Sequence, residues 1–281
     1  MPDFAADAER LAAIALAEDG HHDVTSAVTV ASAARGAGRL EFRGGAVVAG
    51  QVYAEAVARA CGCTIDWDAP EGAHVTQHSS VGTVAGPLAP LLRAERPLLN
   101  LLQRASGIAT ATRTYVDAVS GTVARILHTR KTAPGLRCLD IAGVLAGGGA
   151  LHRLDLAHAV MVKDNHWSAL AAQGKTLRAA LTDARQLGAL SLQVEVESEA
   201  QLLGACEAGA TRLLLDNQSP ETVQRWAELA RELAPGIEIE ATGGITLENV
   251  RAYALAGADF ISVGALTHSV MAADIALEIT A

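Results

Sequence analysis

Apolar positions recur at helical intervals at the start of the chain, where Phe4, Leu11, Ala12 and Leu16 share a face behind Asp3. The spacing predicts a helix over residues 4–18 with Asp3 as its N-cap. Glu18-Asp19-Gly20-His21-His22-Asp23 breaks that helix. From Val28 to Val84 the rhythm shortens to β-prone runs at 39–42, 46–49 and 81–84, separated by Gly-rich turns, with a helical insert over 52–60. This is the pattern of an α+β module of roughly one hundred residues. Pro90 then opens a Leu-rich helical stretch in which Pro97 predicts a kink or a fresh helix start.

Beyond Gly121 the pattern becomes regular. Apolar strand candidates at 124–127, 159–162, 192–196, 212–215, 237–239 and 260–263 alternate with helix-compatible segments at 136–145, 170–187, 199–207, 220–233 and 247–256. Alternation of this kind implies a parallel sheet with helical crossovers. Polar groups sit at or just beyond nearly every strand end: Arg130 and Lys131, Lys163, Glu195 and Glu197, Asp216, Glu240 with Thr242-Gly243-Gly244, and Gly264. A closed parallel barrel gathers all such ends on one face, whereas a doubly wound sheet gathers only those at its switch point. The expected fold is therefore α/β: a TIM-like α/β barrel over residues 111–281, incomplete because only about six strands are visible, preceded by the α+β module over 1–110.

Composition agrees with a large packed core. Of 281 residues, 50% are hydrophobic but only 3% aromatic, so the core is built from Ala, Leu, Val and Ile. No apolar run is long enough to span a membrane. The N-terminus shows no basic segment followed by an apolar one, so a cytoplasmic protein is expected. Four cysteines, with Cys61 and Cys63 close together but no second ligand pair at zinc spacing, are read as reduced structural thiols. His21 and His22 are read as part of a solvated loop, with a metal site as the alternative.

Charge changes the picture. The chain carries a net −9, which argues against a nucleic-acid surface. Yet Arg130, Lys131, His152, Arg153 and Lys163 cluster in one stretch. A cleft lined by one sign focuses the local field, so these residues point to a multiply anionic small ligand, a solvated basic face being the bland alternative. Arg130 and Arg153 can grip carboxylates bidentately, while Lys131 and Lys163 act as point charges. Glu195 and Asp216 can hold Mg²⁺ or form ion pairs with Arg130 or Lys163. Thr242, Gly243, Gly244, Gly264 and Ala265 suit a phosphate, although glycines there also serve sharp turns. Arg96 reads as a solvated helix charge.

At these residues the chain resembles the quinolinate phosphoribosyltransferase family. The similarity is carried, in order, by Glu18-Asp19 through Ser26, Ser106 to Thr110, Thr129 to Arg137, Gly147-Gly148-Gly149 with His152-Arg153, Val162 to His166, Val194 to Glu197, Leu215 to Asn217, Thr242 to Thr246 and Ser262 to Ser269. The resemblance implies transfer of 5-phosphoribosyl from phosphoribosyl pyrophosphate to quinolinate with decarboxylation, giving nicotinate mononucleotide for NAD synthesis. It further implies that the first module is an N-terminal α+β sandwich domain on which the last residues can pack back, that the second is an incomplete α/β barrel, and that a homodimer forms in which Arg96 completes the partner's site, joining Arg130, Lys131, His152, Arg153 and Lys163 around quinolinate. Lys131, Lys163, Glu195 and Asp216 are then the catalytic group, with Glu195 and Asp216 holding the ribose and Mg²⁺.

Four positions depart from the family pattern: Leu151 stands where Asn is usual, Ile141 where Lys is usual, His128 where Asp is frequent and His22 where Gly is expected. Leu151 and Ile141 leave a paralogue acting on another base as the second reading. A Schiff-base lyase using Lys163 and a phosphate-ligand sensor are the third and fourth.

Overall fold

Asp3 closes the first turn of the chain by accepting a hydrogen bond from Ala6 N–H, and α1 (Phe4–Glu18) follows with Ala8, Leu11, Ala12 and Leu16 buried. The computed structural model describes residues 1–20 and 22–280, so His21 lies outside the described residues. By contact the chain divides into two units, residues 1–113 with 131–149 and 266–281, and residues 114–130 with 150–265.

In the first unit, Asp23 accepts hydrogen bonds from the N–H groups of Thr25 and Ser26 and starts a short helix, α2 (Val24–Thr29). That helix replaces the expected beginning of the β-prone region at Val28. Next come β1 (Arg35–Phe42), β2 (Ala46–Val47), α3 (Gln51–Ala60), β3 (Thr64–Trp67), β4 (His74–Val75) and β5 (Ser79–Pro87). The last strand of the chain, β12 (Ile275–Thr280), joins them in an antiparallel sheet of order β12-β1-β5-β3, and β2 pairs with β4.

Helix α4 (Leu88–Ala118) runs unbroken through Pro97, so no fresh helix starts there. A proline interior to a helix costs ~3 kcal/mol. Against that, Leu91, Leu98, Leu99 and Leu102 are at most 1% exposed, and each buried leucine contributes ~1.5–3 kcal/mol. Helix α5 (Arg137–Ala146) is tied to α4 by Arg104, whose guanidinium donates to both oxygens of the fully buried Asp140 at 2.7 and 3.0 Å. The glycines after α5 serve packing. A Cβ on Gly147 would lie 2.4 Å from Ala109 O, and one on Gly149 2.6 Å from Val144 Cγ1.

The second unit is the alternating one. Its strands are β6 (Arg125–Leu127), β7 (Val160–Val162), β8 (Leu192–Val196), β9 (Arg212–Asp216), β10 (Glu238–Thr242) and β11 (Phe260–Ser262). They form one parallel sheet of order β6-β11-β10-β9-β8-β7. This is sequence order wrapped into a ring with a single pairing left out, that of β6 with β7, and so a TIM-like barrel with an open seam. A lone parallel bridge, Leu127 with Ala150, lies at the seam side of β6.

The helices are α6 (Asp164–Ala172), α7 (Leu177–Gln186), α8 (Glu199–Ala208), α9 (Pro220–Leu233), α10 (Val250–Leu255) and α11 (Ala265–His268). The single helix expected over 170–187 is two helices. Gly174 adopts φ +62°, and Thr176 then caps α7 by accepting from Ala179 N–H.

Candidate active site

Alternation along each parallel strand sorts its residues onto two faces. Val194, Val196, Leu213, Leu215, Ile239 and Ile261 are at most 1% exposed on one face. The other face carries Gln193 and Glu195, Arg212 and Asp216, Glu238, Glu240 and Thr242, and Ser262. Bonds among these residues confirm that they share it: Ser262 Oγ donates to Glu240 Oε1 at 2.6 Å, and Arg212 donates to Glu240 Oε2 at 3.2 Å and to Glu238 Oε2 at 2.8 Å. The Arg212 guanidinium also lies 3.9 Å over the Phe260 ring.

At the strand ends the register pairs Asp216 of β9 with Thr242 of β10. Lys163, the N-cap of α6, forms an ion pair with Glu195. The ion-pair alternative for Glu195 is thus realised, with Lys163 as partner. The α6 turn is held from both ends: Lys163 N–H donates to His166 Nδ1 at 3.0 Å, and the Trp167 indole donates to Glu195 O at 3.0 Å. Burial, with Glu195 and then Glu197 nearby, raises the Asp216 carboxyl above its ordinary value despite Lys163 and the Asn217 hydrogen bond.

Asn217 holds the neighbouring turn. It adopts φ +53°, donates from Nδ2 to Asp216 Oδ2 at 2.6 Å and from its backbone to Thr242 O at 2.9 Å. Gly243 is required beside it: φ is +82°, and a Cβ would fall 2.3 Å from Asn217 Oδ1. Gly244 O accepts from Asn249 Nδ2 at 2.9 Å, closing the loop on itself. Gly264 and Ala265 follow the adjacent strand β11.

The cations assemble at the seam end. Arg130 follows β6, and its Nε is buried with no hydrogen-bond partner. Desolvation and the Arg130 charge lower the affinity of Arg153 for its proton, opposed by Glu240. His152 is turned to the strand interior: Nδ1 accepts from Arg153 N–H at 2.6 Å and Nε2 donates to Glu240 Oε2 at 3.3 Å. Both ring nitrogens are therefore engaged within the protein, Nε2 bracing Glu240. Burial favours the neutral acid of Glu240, but the bonds from His152 and Ser262 and the Arg212 charge outweigh it and hold the carboxyl below its usual range.

Lys131 and Arg96 belong to the first unit. Arg96 lies on α4 with a side chain 70% exposed, 3.6 Å from Glu95. Lys131 is exposed, and its carbonyl accepts from Thr267 Oγ1 at 2.9 Å. A cavity of about 810 Å³ touches the cation group only through Leu151, His152 and Arg153. Its other walls include Val160, Ser191, Gln193 and Arg212, at the opening residues of β7, β8 and β9, away from Glu195, Asp216 and Thr242.

Two family models match end to end along the chain: quinolinate phosphoribosyl transferase N-terminal domain over residues 23–106, and C-terminal domain over 108–278. The chain belongs to the quinolinate phosphoribosyl transferase family. A human relative named nicotinate-nucleotide pyrophosphorylase (carboxylating) is 40% identical over 84% of this chain and 79% of its own length. One of the same name from Mycobacterium leprae is 39% identical, covering 92% and 91%. Among solved structures, the nicotinate-nucleotide pyrophosphorylase from Francisella tularensis superposes with a TM-score of 0.91 at 31% identity, covering 100% of this chain and 98% of that one.

Within this family member, the second unit brings together Arg130, His152, Arg153, Lys163, Glu195, Asp216 and the turns at Thr242–Gly244 and Gly264. Sequence reasoning noted Glu240 at a strand end, His128 as a departure from the family pattern and Asn217 within a motif but gave them no role, and it missed Arg212 and Trp167. The available signal was period-two placement. Glu240 lies two residues before Thr242 on the same strand face, as Gln193 lies two before Glu195.

Proposed function

We propose that this protein transfers 5-phosphoribosyl from phosphoribosyl pyrophosphate to quinolinate with loss of pyrophosphate and CO2, giving nicotinate mononucleotide for NAD synthesis. The observation that carries the reading is the Arg130–Arg153 pair. Two guanidiniums close enough to disturb one another, one with a buried donor lacking a partner, are what two adjacent carboxylates would neutralise. Lys163 and Lys131 add point charges, and in a homodimer Arg96 of the partner subunit would complete the cluster. His152, grouped with these cations toward the carboxylates, also supports Arg153 through its backbone.

On the other side, Glu195 and Asp216 face the phosphoribosyl donor. Their carboxylates offset positive charge developing on the ribose as pyrophosphate departs, a preorganised electrostatic role. The Thr242–Gly244 and Gly264–Ala265 turns suit the 5-phosphate. No group of three His, Cys, Asp or Glu residues able to hold a metal occurs among the described residues. Two carboxylates nonetheless fit Mg²⁺, which commonly keeps ligand oxygens in its remaining positions. Bound there, it would supply neutralisation of the leaving pyrophosphate. After transfer, the positive ring nitrogen stabilises the carbanion left by CO2 at the adjacent carbon, which takes up a proton from water, so decarboxylation needs no separate cofactor.

The ion pair with Glu195 gives Lys163 a charge role and disfavours the Schiff-base reading. The deciding experiment supplies purified protein with quinolinate, phosphoribosyl pyrophosphate and Mg²⁺. Formation of nicotinate mononucleotide with stoichiometric CO2 is expected, and absence of both overturns the reading.

A further inference from the structure

At the seam, the parallel bridge of Leu127 with Ala150 carries the backbone bond from Ala150 N–H to Ile126 O at 2.7 Å. A parallel ladder repeats every two residues, so the next rung would run from His152 N–H to the carbonyl of His128. That N–H instead donates to the side chain of His128, at Nε2, over 3.1 Å. The imidazole thus stands in the rung. The same ring meets Thr129 O from Nδ1 at 3.2 Å, is 0% exposed, and lies edge-on to His152 at 6.4 Å between centroids. Because Nε2 accepts, Nδ1 carries the proton in a neutral ring and donates to Thr129 O.

We propose that His128 is a positioning residue, a neutral imidazole spacer that splays the two strand ends by one ring and so sets the separation of Arg130 from Arg153. Those guanidiniums are attached one residue beyond Thr129 and His152, the two backbone groups the ring touches. The consequence is selectivity for two neighbouring carboxylates over one. This rests on the reading of quinolinate as acceptor.

The test compares His128→Ser, which removes the spacer and lets the rung close, with His128→Gln, whose terminal oxygen reaches the position of Nε2. Initial rates with each substrate varied should show the quinolinate KM of His128→Ser raised about tenfold, equivalent to ~1.4 kcal/mol, with the phosphoribosyl pyrophosphate KM within about twofold. His128→Gln should return to within about threefold of the parent. If His128→Ser does not fold, His128→Asn takes its place, since it keeps the near donor and loses the far acceptor. Equal effects on both substrates, or no recovery in His128→Gln, overturn the proposal. Nitrogen NMR of the ring in the unmodified protein reads the same arrangement without turnover. A protonated Nδ1 with bare Nε2 is expected, and the opposite tautomer or an imidazolium at neutral pH overturns it. Failure of the parent to use quinolinate would instead overturn the functional reading and leave the NMR result standing on its own.

Discussion

Replacing Gly243 by alanine separates two costs that the site imposes on one residue. Left-handed backbone costs a residue with a Cβ ~1–2 kcal/mol, and Gly243 sits at φ +82°. The new Cβ would also stand 2.3 Å from Asn217 Oδ1, where ordinary contact begins at 3.4 Å, so the atoms must part by 3.4 − 2.3 = 1.1 Å. Asn217 cannot yield alone, because its Nδ2 holds Asp216 at 2.6 Å and its backbone holds Thr242 O at 2.9 Å. Overpacking of this kind adds ~1–3 kcal/mol, for a total of ~2–5 kcal/mol. A shift near 1 Å at a group that orients substrate costs on the order of 100-fold in rate. Gly244 is the internal control: φ is +62°, but nothing lies within 4 Å of its Cβ position, so Gly244→Ala meets only the backbone cost. At about 2–4 °C per kcal/mol, thermal melts should show Gly244→Ala lowered by about 2–8 °C and Gly243→Ala by about 4–20 °C. Steady-state kinetics should show Gly243→Ala losing ~100-fold in kcat/KM for phosphoribosyl pyrophosphate. Equal losses of Tm and of kcat/KM in the two variants would refute the argument that the Asn217 contact transmits to Asp216.

Arg130→Ala should raise the quinolinate KM by more than about tenfold while leaving the phosphoribosyl pyrophosphate KM within about threefold; equal rises would contradict its assignment to the carboxylates. Glu240→Gln removes the buried charge beside Arg212 and His152 but leaves Arg212 paired with Glu238, and should cost ~1–3 kcal/mol in chemical denaturation. Because the folded Glu240 carboxyl is held below its unfolded value, its contribution is present above the unfolded pKa and lost as pH falls through the folded one, so Glu240→Gln should flatten the acid limb of the stability curve. Asp216 has the opposite sign. Its folded pKa is raised, so the folded state binds more protons and stability falls as pH rises from the unfolded value through the folded one. Asp216→Asn should remove that fall and raise Tm at neutral pH by no more than about 2 °C, while abolishing turnover. Mixing inactive Arg96→Ala with inactive Asp216→Asn should restore about a quarter of parental activity if sites are shared across a dimer, since random exchange gives half heterodimers with one intact site each; no recovery after verified exchange would exclude sharing.

The second unit was legible because its information is local. Each expected apolar run overlaps one of the strands β6 to β11, β10 running on from the expected 237–239 to Thr242, and β8 and α9 match their expected bounds at 192–196 and 220–233. Polar residues at strand ends indicated the barrel for the same reason, since parallel strands put all their C-terminal ends on one side. What local patterning missed depended on distant partners. Strand β12 exists as the edge neighbour of β1, with Leu277 set opposite Leu40. Pro97 signals a break by itself, yet the helix continues because burial of the leucines around it outweighs the lost bond.

The amino-acid sequence determined the family, the alternation of elements and the inventory of cations, carboxylates and glycine turns, all carried by residue type and short spacing. Only the tertiary structure decided how they are shared out. Lys163 pairs with Glu195, and His152 braces Glu240, 88 residues away in sequence. His128 fills a rung of the ladder with its side chain. The physical reason is that a hydrogen bond has a length and a direction, and these are fixed only when strands far apart in the chain are brought into register.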